Sequence, residues 1–72
     1  MLNEHLRRAE QQVAEDAARI AQQRTLVAEL ARAGYSTAQA RVLLAQLEEL
    51  QEVHLAERER LRWQLGLWSP HR

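Results

Sequence analysis

The sequence predicts an all-α fold, a two-helix antiparallel hairpin that dimerises into a four-helix bundle. Three observations lead there. Ala, Leu, Gln, Glu and Arg dominate the 72 residues, Phe and Cys are absent, and the one Pro stands at position 70; this is the composition of long helices and coiled coils. Apolar residues recur at the 3.5-residue interval of a helix seam. Gly34-Tyr35-Ser36 is the single interruption of that pattern, close to the midpoint.

The first helix is expected over about residues 3–33, where Leu6, Val13, Ile20 and Val27 are spaced by seven. Leu2, Ala9, Ala17, Leu30 and Ala31 fill the intermediate positions, while Asp16 and Gln23 interrupt them. A stripe so rich in alanine is narrow and closely approachable.

Gly34 supplies the left-handed residue that commonly ends a helix, with Tyr35 placed to fold back onto Leu30 or Ala31. Ser36 and Gln39 have the spacing of a capping box, in which the hydroxyl accepts from the Gln39 amide. A connection this short makes the two helices antiparallel neighbours.

The second helix is expected over about residues 37–66 and carries Ala40, Leu43, Leu44, Leu47, Leu50, His54, Leu61 and Leu65 on its inner face. A second apolar set, Val42, Val53, Ala56, Trp63 and Leu67, has no place inside one hairpin and marks an association surface. The hairpin thus occupies residues 1–66, with Gly66 ending the helix and 67–72 forming a short tail whose Trp68 can pack near Leu2 or Leu6. In a symmetric hairpin, residues whose numbers sum to about 71 face each other. Val27 then meets Leu44, Ile20 meets Leu50, Ala9 meets Leu61 and Leu6 meets Leu65. Asp16 and His54 share one polar layer, with Val13 and Arg58 in the next.

That layer is the most pointed chemical feature. A carboxylate beside an imidazole can orient and charge it, as a general base or a pH-sensitive switch requires. The simpler reading is a polar layer of Asp16, His54 and Arg58 that sets register at some cost in stability, because no serine or cysteine stands in the pattern as a nucleophile. A carboxylate di-metal centre would need Glu-x-x-His on facing helices, yet Gln51 stands three residues before His54, and Glu49 and Glu52 read as a solvated face with Arg41 and Arg24 as ion-pair partners. Catalytic residues, cofactor and metal are therefore not expected.

The arginines Arg7, Arg8, Arg58, Arg60 and Arg62 gather at the open end and are the candidate nucleic-acid contacts. A dimeric hairpin of this length resembles, at the level of fold alone, the small plasmid RNA-binding regulator ROP. Against this, Glu4, Glu10, Glu57 and Glu59 are interleaved, and ten basic residues, all Arg, balance ten acidic ones, whereas phosphate binding wants a coherent basic surface. Membrane-surface binding is disfavoured because acids lie among the arginines and the apolar residues spread around helix 2. Without cysteine, stability in so short a chain must come from association or very regular packing. No apolar run approaches the roughly 20 residues of a membrane span, and no basic and apolar leader opens the chain, so a cytoplasmic setting is expected.

The segments Ala9-Glu10-Gln11-Gln12-Val13-Ala14-Glu15 and Ile20-Ala21-Gln22-Gln23-Arg24, the Gly34 turn with Thr37, and Leu43-Leu44-Ala45 through His54 and Arg58 are similar to a group of small bacterial helical-hairpin proteins. The resemblance covers most of residues 5–65 and implies a stand-alone cytoplasmic protein with no assigned reaction. The function expected is a non-enzymatic one: a homodimeric helical scaffold or regulatory adaptor for a protein partner. The alternative is an RNA- or DNA-binding regulator using the open-end arginines.

Overall fold

The computed structural model describes residues 1–66. Among them the chain is all-helical: α1, Leu2–Arg32, and α2, Ala38–Gln64, pack against each other as an antiparallel hairpin, and there are no strands. The expected Leu67 and Trp68 contacts lie outside the described residues.

The reversal uses a complete Schellman ending. Ala33 caps α1, Gly34 takes φ +83°, its amide donates to the Ala31 carbonyl at 3.1 Å, and the Tyr35 amide donates to the Leu30 carbonyl at 2.9 Å. These bonds satisfy carbonyls that the helix end would leave open. Tyr35 itself stays 69 % exposed, so the backbone motif forms without the hydrophobic clasp expected of its ring.

The restart differs from the expected capping box. Thr37, not Ser36, occupies the N-cap, so Gln39 is the second helical residue and stands too early to reach back. The Ser36 hydroxyl instead accepts from the Ala38 amide at 3.3 Å, and the Thr37 hydroxyl accepts from Arg41 Nε at 2.9 Å. At the far end Gly66 again takes positive φ, with its amide donating to the Trp63 carbonyl at 3.0 Å.

Burial follows an alternating three-four spacing on both helices. On α1 the seam positions are Leu2, Leu6, Ala9, Val13, Asp16, Ile20, Gln23, Val27 and Leu30, with Gln12 partly covered beside them. On α2 and its caps they are Thr37, Ala40, Leu44, Leu47, Gln51, His54, Arg58, Leu61 and Leu65, with Glu48, Leu55 and Arg62 partly covered along one flank. The two helices thus meet along one narrow seam that runs the length of the hairpin. Asp16 pairs with His54, Arg24 with Glu48 and Glu10 with Arg62, and each pair falls within one residue of the register expected from the turn. Arg24 therefore meets Glu48 rather than the expected Glu52, and Arg41 turns to Thr37 rather than Glu49.

Two expected core leucines leave the seam. Leu43 is 45 % and Leu50 41 % exposed, and the position facing inward beside Ile20 is Gln51. The core is consequently apolar at its ends and polar in the middle. Leu6, Ala9 and Leu61, with Leu2 and Leu65 against them, form the open-end cluster, and Ile20 and Val27 are buried toward the turn.

Candidate functional site

The middle of the seam holds the site. Asp16 arrives on the α1 stripe where an apolar residue is due, and it is the only buried charged residue among those described, at 2 % exposure. His54 comes from the matching position of α2, three residues after Gln51 and four before Arg58. Its Nδ1 lies 2.5 Å from Asp16 Oδ2, with the imidazole 24 % exposed. A carboxylate removed from water at this depth needs a hydrogen-bond donor, and the imidazole supplies it. Asp16 and His54 thus meet across the seam.

Arg58 stands one turn further along the same stripe of α2 and makes no hydrogen bond or ion pair with Asp16 or His54. Its Nη2 reaches Glu59 at 3.6 Å, but its Nε is buried with no hydrogen-bond partner.

His54 also shows an edge to the surface. It lines an open groove of about 340 Å³ together with His5, Arg8, Ala9, Gln12 and Glu57. The groove runs along one flank of the seam, built from α1 positions 5 and 12 and α2 position 57. Glu57 is held by Arg60, whose Nη2 lies 2.5 Å from the carboxylate. The hydrogen bond from Arg60 draws the Glu57 carboxyl below the usual glutamate range, and Glu57 in turn raises the Arg60 guanidinium. No serine, threonine, tyrosine or cysteine lines the groove, so the imidazole meets water and fixed polar groups rather than a nucleophile.

At the open end the arginines divide into two groups. Arg58, Arg60 and Arg62 are matched with Glu59, Glu57 and Glu10, and Arg62 also with Glu59. Arg7 and Arg8 have no carboxylate at ion-pairing distance among the described residues. Among the same residues no group of three or more His, Asp or Glu side chains is placed to hold a metal ion, and no helix is long and apolar enough to cross a membrane.

The expected association set stands on α2 as follows. Val42, Ala56 and Trp63 share one stripe of seven-residue spacing on the back of the helix, interrupted by Glu49, with Val53 on the adjoining stripe. Val42, Val53 and Trp63 are 58 %, 62 % and 63 % exposed, and Ala56 is exposed as well. The leucines Leu26, Leu43 and Leu50, at 42 %, 45 % and 41 %, add further exposed apolar surface, Leu43 and Leu50 being the two expected in the core.

Fold and site together define a short antiparallel two-helix hairpin in which a buried aspartate meets a histidine and several large apolar side chains stay exposed. Among known proteins no family model, no curated sequence and no solved structure matches the chain.

Proposed function

We propose that this chain is a non-enzymatic interaction module, a cytoplasmic hairpin that self-associates through its flanks and offers the remaining helix surface to a protein partner. The observation that carries this reading is the apolar surface the hairpin leaves exposed. α2 leaves Val42, Leu43, Leu50, Val53 and Trp63 each more than two-fifths exposed, and on α1 the exposed Ala14, Ala21 and Ala28 add a further apolar stripe. A fully buried large apolar side chain stabilises by about 1.5–3 kcal/mol, so association converts that exposed set into the stability a chain of this size lacks.

The nucleic-acid reading has less support. Three of its five arginines are already matched with carboxylates, and a matched arginine gives little to a phosphate. Sedimentation equilibrium tests the module reading: a mass of twice the chain is expected at micromolar concentration, unchanged between low and physiological salt. A monomer throughout the range overturns it, and steep salt-dependent binding to RNA or DNA would favour the alternative.

A further inference from the structure

We infer that the second copy docks on the groove side of the hairpin, along the flank carrying Leu26, Leu43 and Leu50, with both turns at the same end of the bundle. The inference rests on the self-association proposed above and adds which face pairs and in which direction.

The two flanks of the seam are chemically unlike. One is closed by the cross-helix ion pairs Arg24–Glu48 and Glu10–Arg62, which use positions 10 and 24 of α1 and 48 and 62 of α2. The other is the groove flank, where His5 and Gln12 face Glu57. Extending it by sevens toward the turn adds Arg19 and Leu26 on α1 and Leu50 and Leu43 on α2. No ion pair joins the helices across this flank among the described residues. Leu26, Leu43 and Leu50 therefore share one face, each a little over two-fifths exposed. This partial exposure is what residues flanking a seam show before a second layer covers them.

The direction of pairing follows from how the face is graded. Along the positions that directly flank the seam, its turn half carries Leu26, Leu43 and Leu50 and its open half His5, Gln12 and Glu57, while the outer track of α1 is polar throughout, from Arg8 through Glu15 and Gln22 to Glu29. Two-fold pairing with the turns at opposite ends would lay the leucines over the partner's Arg8 and Glu57. It would desolvate charge against apolar surface, which is costly. Pairing with the turns together lays apolar half on apolar half. It also stacks α1 of each copy on α2 of the other, so the helix bearing His5 and Arg8 meets the helix bearing Glu57. Arg19, at mid-height, covers leucine with its stem while its head reaches the rim. A bundle of this kind has every neighbouring helix antiparallel and a self-complementary interface.

Distance measurements between spin labels test both parts. The chain has no cysteine, so Tyr35→Cys at the turn and Glu4→Cys at the open end each give one label per copy. Turns together predict short label separations at both sites, about 20 Å or two interhelical spacings. Opposed turns predict separations near the 50 Å length of the hairpin at both sites and overturn the direction while leaving the dimer. A monomeric mass in the same samples fails the self-association reading itself. The face is tested separately: Leu43→Glu with Leu50→Glu is expected to raise the dimer dissociation constant at least a hundredfold, whereas Val42→Glu with Trp63→Glu leaves it within threefold. The reverse result assigns pairing to the back of α2 and overturns the proposed face. Because the labelled chains keep all three leucines, the distances still decide the direction if the glutamate variants do not fold.

Discussion

At the scale of single residues, the Asp16–His54 contact is the most consequential. Asp16 is buried at 2 % exposure with the imidazole as its partner. His54→Leu leaves a carboxylate in the seam with nothing to donate to it, and breaking a buried pair in this way typically costs about 3–5 kcal/mol. Replacing both residues, Asp16→Leu with His54→Leu, is expected to recover most of that loss, because a well-packed apolar layer of similar volume is often as stable as the pair it replaces. Urea unfolding of the two single variants and the double variant checks this. A His54→Leu chain as stable as the parent would show that Asp16 finds another partner and that the pair sets nothing. Asp16 and His54 were legible in the sequence because each occupies a heptad position where an apolar residue is due, and the turn fixes which of them meet. The groove beside them was not legible, since it depends on His5, Arg8 and Gln12 lying on the flank of α1 that faces Glu57.

At the scale of elements, each helix owes its ending to a glycine and its beginning to weak caps. Gly34 has φ +83° and open space around the position where a side chain would sit, so a substitution there meets strain rather than a clash. Gly34→Ala is expected to destabilise the hairpin by about 1–2 kcal/mol, the cost of the left-handed conformation for a residue with a Cβ. The melting temperature of that variant is the check, and an unchanged value would mean that the turn relaxes to a right-handed conformation. The chain reverses at Gly34, between helices that run over Leu2–Arg32 and Ala38–Gln64. Local chemistry determines these features, since a helix stop at Gly34 depends only on its immediate neighbours. The capping box did not form because it depends on the first helical residue, and a shift of one position moves Gln39 out of reach.

At the scale of the whole molecule, the hairpin is long and thin, 50 × 28 × 14 Å, and its seam is apolar only toward the ends. No side chain in it is completely enclosed. Such a body draws stability from a second copy, and mass action then ties its melting temperature to concentration. Raising the protein concentration a hundredfold is expected to raise the melting temperature by several degrees, and the Leu43→Glu, Leu50→Glu chain should lose that dependence. Differential scanning calorimetry at three concentrations is sufficient. A melting temperature independent of concentration in the parent chain would place all its stability within one hairpin.

By itself the sequence determined the two helices, the turn between them, the register and the Asp16–His54 layer, because all four follow from local propensity and a strict repeat carried through a short connection. Only the tertiary structure decided which side of the seam each leucine of α2 takes. Leu50 and Gln51 are equally compatible with a helical stripe, and apolarity alone favours Leu50 as the inner residue. The packing against α1 instead brings Gln51 inward and leaves Leu43 and Leu50 on the flank. A stripe read from one helix is uncertain by one position until the facing helix is in place, and here that single position separates a buried core from a face that another chain can cover.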